Sequence, residues 1–188
     1  MTDARFDATL RTAERVAAIL AEHQVASVVI GALALAVHNY PRATEDLDLA
    51  IAVAPAALES LATALRAEGF QVDVRMPDAS DPLVGVIDVR APDADLVQVV
   101  NFDNSPAGGF PRLVTDAMPG ALPMGTAGLR VVDLPMLVAF KLYAGGTKSA
   151  LDIMALLERN DVDLEALRST CVALRLSGEL ERVLALRG

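Results

Sequence analysis

The sequence predicts an α+β fold, with a mixed β-sheet core, flanking helices and a C-terminal helical lobe. Two observations carry that expectation. Segments of β-branched and apolar residues alternate with helical patterns through the first two-thirds of the 188 residues. From Leu134 onward the pattern is helical alone. A composition that is 53% hydrophobic supplies a sizeable core, drawn from Ala, Leu and Val because aromatics are only 4%. The natural division places a core in residues 1–133 and a small lobe, packed on it, in 134–188.

Each element follows from local chemistry. Leu10, Ala13, Val16, Ala17 and Leu20 recur at helical spacing, so residues 8–23 form an amphipathic helix. Val25 to Ile30 reads as a buried strand that Gly31 ends, and Ala32 to His38 as a short helix stopped before Pro41. Leu47 to Val53 is a second strand. Pro55 then suits a first helical turn, and Ala56 to Glu68 is a helix closed by Gly69. Three strands follow, Phe70 to Arg75, Gly85 to Arg90 and Leu96 to Phe102, separated by Asp- and Pro-containing turns. Residues 103–128 read as irregular, with a brief strand or turn near Leu113, before a last strand at Leu129 to Val132. Four helices complete the chain: Pro135 to Ala144, Ser149 to Arg159, Leu164 to Leu174 and Gly178 to Leu186.

Composition narrows the function. No apolar run reaches the roughly 18–20 residues that span a bilayer. The first fifteen residues mix charges and lack the apolar stretch of a signal peptide. The single Cys171 forms no internal disulfide, which fits a reducing compartment and makes the cytoplasm the expected location. A net charge of −9 opposes non-specific binding to nucleic acid, so any such partner is held through a local basic patch, a metal or a nucleotide.

The chemistry concentrates in Val28 to Val53. Strand period 2 puts Asp46 and Asp48 on one side of an otherwise apolar strand and Leu47 and Leu49 on the other. Paired carboxylates of this kind suit a hard divalent cation such as Mg²⁺, or Mn²⁺, which takes oxygen ligands and is shared with substrate phosphates. Gly31 lies between an apolar strand and a helix, where free N–H groups and the positive end of the helix dipole can receive a phosphate. Asp88 also interrupts an apolar strand and asks for a partner. It completes an acidic cluster if its strand lies beside that of Asp46 and Asp48; otherwise it faces solvent or pairs with Arg90 or Arg75. His23 lies near a helix end and reads as structural, and Cys171 as core. The Gly145–Gly146 segment follows a helix and lacks the spacing of a phosphate-binding loop.

VVIGA, thirteen residues and Asp46-Leu47-Asp48-Leu49 together resemble the first signature of the nucleotidyltransferase superfamily related to DNA polymerase β. His38, Pro41, Arg42, Thr44, Asp46 and Asp48 look like the AbiEii-type and DUF6036-like branch, in which an Arg-x-Thr element precedes the acidic pair. A second patch, Leu129 to Leu157, is similar to that branch at Lys141, Tyr143, Ala144, Lys148 and Asp152. The resemblance covers residues 25–157 and implies a nucleotidyltransferase-like core. It implies metal on Asp46 and Asp48, a triphosphate backed by Gly31 and Ala32, and phosphates positioned by Arg42, Thr44 and Lys141. Asp152 would order the site or its own helix, and His38 would meet a base or ribose or cap its helix. Two departures stand out. Ala32 replaces the family's second Gly or Ser, and the usual place of the third carboxylate falls on Gln98, leaving Asp88 as the alternative.

The function implied is Mg²⁺-dependent transfer of an NMP from an NTP to an RNA or protein acceptor. Within the resembled branch this points to a toxin-like member of a toxin–antitoxin pair, with tRNA among the acceptors, a cognate antitoxin as partner and no membrane. The alternative is a degenerate member that binds a nucleotide or a protein partner without turnover, for which Gln98 is the main evidence.

Overall fold

Helix α1 (Asp3–Glu22) buries Ala13, Val16 and Leu20 on one stripe, which packs over the central strands. It belongs to a computed structural model that describes residues 3–76, 84–102, 112–125 and 128–187. The N–H of Val25 still bonds the carbonyl of Leu20 at 2.9 Å, so this residue closes α1 instead of opening a strand. Strand β1 therefore shrinks to Val28–Val29. After it come α2 (Gly31–Val37), β2 (Asp46–Ile51), a 3-10 turn at Pro55–Ala57, α3 (Leu58–Ala67), β3 (Gln71–Arg75), β4 (Val86–Arg90) and β5 (Leu96–Asn101).

The segment near Leu113 differs from the expected strand or turn. It is helix α4 (Leu113–Ala117), because Leu113, Val114 and Ala117 bury one helical face. Strand β6 (Leu122–Met124) carries Pro123, which the position of β6 at the sheet edge tolerates. The rest of the expected irregular stretch, 103–111 and 126–127, lies outside the described residues. Strand β7 (Leu129–Val131) leads into α5 (Leu134–Ala144), α6 (Gly146–Arg159), α7 (Leu164–Ala173) and α8 (Ser177–Leu184). A 3-10 turn at Ala185–Arg187 follows.

The architecture is α+β, as expected. Seven strands form one mixed sheet in the order β3-β4-β5-β2-β1-β7-β6. The β2–β5 and β1–β7 pairs are parallel, and the other pairs are antiparallel. Helix α1 packs against β2 and β5, and its neighbour α3 against β3 and β4. One continuous apolar cluster runs from α1 through the sheet to α8. The expected boundary at 133/134 falls between β7 and α5, whose first turn is capped by the Asp133 carboxylate at 3.0 Å from the N–H of Met136.

At the far end of the β2–β5 pair, Asn101 is fully buried and acts as a clasp. Its Oδ1 accepts from the N–H of Val53 at 3.0 Å, while Nδ2 donates to the carbonyls of Val53 and Val84 at 2.8 and 3.1 Å. Removing the amide strands these backbone groups away from water. Asn101→Ala should cost about 3 kcal/mol of unfolding free energy, read as a lower urea midpoint at unchanged slope.

Candidate functional site

Strand β2 brings Asp46 and Asp48 to one side, as the period requires, with Leu47 and Leu49 buried on the other. Gly31 opens α2 with φ +67°, and a Cβ there would overlap the Asp48 carboxylate. The glycine is thus required twice, for a left-handed backbone and for an acid packed against it. Burial and the neighbouring Asp46 charge push the Asp48 carboxyl up to about 6, while Lys141, Arg42 and Lys148 pull it back. The Thr44 hydroxyl donates to Asp46 Oδ1 and fixes that second carboxylate.

Opposite charge arrives from three other stretches. Asp152, on α6 and almost wholly buried, accepts from Lys141 Nζ of α5 at 2.6 Å and pairs with Arg42 Nε at 3.7 Å. One carboxylate thus holds two cations beside Asp48. Lys141 is 13% exposed, so it is directed inward and does not snorkel to solvent. Lys148 stays exposed at the start of α6, yet its charge reaches Asp48. The loop carrying Arg42 is itself tied to α6. Asn160 donates to the carbonyl of His38 at 3.0 Å and accepts from Asn39 at 2.9 Å, and Arg159 lies over the Tyr40 ring.

The strand order settles the condition attached to Asp88. Strand β5 lies between β4 and β2, so Asp88 and Asp48 stand two strands, about 10 Å, apart. Gln98 occupies the place between them, in register with Asp48 on one side and Asp88 on the other. Arg75 grips Asp88 through Nε and a terminal nitrogen at 3.1 and 2.9 Å, and Gln98 Nε2 donates to it at 2.8 Å. Burial alone would raise the Asp88 carboxyl, but these bonds and the charges of Arg75 and Arg90 hold it below its ordinary value. Asp88 is thus not brought to the acidic pair, and its partner is Arg75.

His38 is buried at the C-terminal end of α2, where its Nε2–H donates to the carbonyl of Val132 at 2.8 Å and ties α2 to the end of β7. Its engaged nitrogen gives it a structural contact here. Ala32 is buried on α2, and Gly31 shares a small cavity with Lys141, Phe102, Phe140 and Ser149. Sequence reasoning did not select Ser149 or the Asn160 tie. Neither stands in a motif, and only the return of α6 across the α2 loop gives them a place.

Two carboxylates on one side of a strand, one with its proton affinity raised, provide the oxygen donors that a hard divalent cation takes. Among the described residues no group of three or more His, Cys, Asp or Glu side chains is placed to hold a metal. The arrangement fits a cation shared with a phosphate ligand better than a closed protein cage.

No protein-family model and no curated protein matches this sequence. Solved structures do. The solution structure of the antibiotic-resistance factor ANT(2'')-Ia is similar with a TM-score of 0.51 at 14% identity, covering 96% of each chain. The crystal structure of ANT(2'')-Ia in complex with adenylyl-2''-tobramycin gives 0.52 at 12% identity, over 88% of this chain and 95% of that one. An antigenic nucleotidyltransferase-like protein from Paracoccidioides brasiliensis gives 0.48 at 16% identity, over 94% and 92%. The first two establish the fold alone: the chain shares the α+β architecture of ANT(2'')-Ia.

Two measurements follow from the acidic pair. The Asp48 carboxyl sits above its ordinary 3.8, so its ionisation opposes folding above about pH 6, and the penalty fades as pH falls towards 4. Asp48→Asn should therefore stabilise the ligand-free chain at pH 7 by roughly 2–3 kcal/mol, with the gain vanishing near pH 4 in urea titrations. Gly31→Ala should act oppositely. It should lower stability by about 1–2 kcal/mol for the left-handed backbone alone and displace Asp48 as well, read as a lower urea midpoint.

Proposed function

We propose that this chain is a nucleotidyltransferase that uses Mg²⁺, or Mn²⁺, to move a nucleoside monophosphate from an NTP to an acceptor and release pyrophosphate. The observation that supports it best is the convergence of opposite charges: Asp46 and Asp48 on β2, with Lys141, Arg42 and Lys148 in their field. Asp46 and Asp48 would hold the cation, which when bound neutralises phosphate charge and polarises the phosphorus. Gly31 and Ala32 let backbone N–H groups approach the triphosphate. Lys141 and Arg42, fixed by Asp152, together with Lys148 offset the negative charge that grows on the departing pyrophosphate. Thr44 keeps the Asp46 carboxylate aimed. Residues 1–133 carry the acids and residues 134–188 the lysines.

The Arg42-x-Thr44-x-Asp46-x-Asp48 pattern, and the contact between Lys141 and Asp152, support placement in the AbiEii-type and DUF6036-like branch. On that reading the acceptor is an RNA such as tRNA, or a protein, the chain is the toxin-like partner of a cognate antitoxin, and it works in the cytoplasm. No described helix is long and apolar enough to cross a membrane.

A second reading, nucleotide binding without turnover, draws on Gln98. An amide stands where a third acid would face Asp48, and Arg75 keeps Asp88 away. Label transfer from each radiolabelled NTP to RNA and protein extracts, with Mg²⁺, separates the readings. Wild type should transfer label, and Asp48→Ala should lose at least about a hundredfold, the loss of roughly 2.7 kcal/mol of transition-state stabilisation. Transfer that persists in Asp48→Ala rejects the enzyme. Mg²⁺–NTP binding with no transfer, converted to transfer by Gln98→Asp, establishes the second reading instead.

A further inference from the structure

Lys148, Asp152 and Leu156 stand at i, i+4 spacing on α6, and Asn160, its C-cap residue, continues the row. Such a row runs along one side of a helix, and from Lys148 to Asn160 it is about 18 Å long. Its middle meets the guanidinium of Arg42 through Asp152. Its end meets the loop from which Arg42 springs, through Asn160. One helix thus touches both the head and the root of the same arginine.

The Asn160 amide supplies two donors and an acceptor, and all are used. Nδ2 donates to the carbonyls of Leu156 at 2.9 Å and His38 at 3.0 Å, while Oδ1 accepts from Asn39 Nδ2 at 2.9 Å. The bond to Leu156 fixes the amide on its own helix, and the other two carry that fixity into the loop. Arg159 adds its guanidinium over the Tyr40 ring, 5.1 Å from the centroid. Asn39 has φ +61°, a left-handed conformation that asparagine adopts more readily than most residues. Only Pro41 separates Tyr40 from Arg42, and its ring locks φ. The chain therefore reaches Arg42 with little freedom left.

We propose that Asn160 is a positioning residue of the candidate site: by holding residues 38–40 to the end of α6 it sets where Arg42 stands, and through Arg42 how tightly a nucleotide's phosphates are held. The role of Arg42 toward phosphate rests on the nucleotide reading above; its dependence on Asn160 does not. Arg42 Nε is enclosed, 3.7 Å from Asp152 Oδ1, so a loop that drifts exposes the guanidinium and weakens that pairing.

The first part of the test uses the full chain without nucleotide or metal, and NMR follows exchange of the Arg42 Nε–H with water. Asn160→Ala removes all three bonds and should speed that exchange by at least about tenfold. Asn39→Gly keeps the left-handed backbone, loses one bond and should speed it by about threefold. It replaces Asn160→Ala in both parts should that variant fail to fold. The second part is a double-mutant cycle on calorimetric Mg²⁺–NTP affinity. Asn160→Ala should weaken binding by about fivefold and Arg42→Gln by about tenfold, and the pair no more than Arg42→Gln alone. An effect of Asn160→Ala that is undiminished in the Arg42→Gln background marks a residue that only supports the fold, and overturns the proposal. Exchange at Arg42 Nε–H that is unchanged in both variants overturns it as well. Faster exchange with unaltered affinity overturns the link to phosphate. Absence of NTP binding in wild type, with exchange still accelerated in the variants, counts against the nucleotide reading and leaves the positioning of Arg42 in place.

Discussion

Everything at the site depends on one buried carboxylate. Asp152 is almost fully enclosed on α6, where an unpaired charge would be costly, and it is compensated by Lys141 from α5 and Arg42 from the α2–β2 loop. Three segments far apart in the chain are thereby held to one point. The pairing also sets the field at β2, because the two cations that Asp152 retains are those that lower the proton affinity of Asp48 most. Removing this acid would leave Lys141 and Arg42 without their buried counter-charge and so disturb the site and the fold together.

The β2 acids illustrate how a site is maintained against the preferences of a folded core. Asp48 is crowded by Asp46 and by burial, and Gly31 is the residue that leaves it room. The Asp48 carboxylate is disfavoured by its burial and its acidic neighbour, and the nearby positive charges of Lys141, Arg42 and Lys148 offset part of that cost. Across the same sheet, Asp88 follows the opposite logic. It is satisfied by Arg75 and Gln98 within the fold, away from the β2 acids.

Much of this is legible in the sequence. The alternation that separates Asp46 and Asp48 from Leu47 and Leu49 is a property of any strand, and the β-branched and Ala/Leu segments marked most elements within a few residues. The failures have physical causes. Val25 looks like strand but is consumed in closing α1, and Pro123 conceals an edge strand because only the sheet order shows that its strand has a neighbour on one side alone. Strand order is not written in local patterns, so the separation of Asp88 from Asp48 by β5 had to be observed. Asn39 and Asn160 gave no signal, since each is an ordinary polar residue until α6 returns across the α2–β2 loop.

The central strand β1 contributes only Val28 and Val29, yet it joins four strands on one side to β7 and β6 on the other. Few backbone bonds cross that waist, and the local free energy of opening scales with what must be broken. The acids lie on β2 to one side of it, while β7 leads into the α5 helix of Lys141 on the other. Amide-exchange protection should therefore reach a minimum along this seam relative to β2–β5. The ionic clasp at Asp152 then has a mechanical meaning, as a bolt across the narrowest part of the sheet.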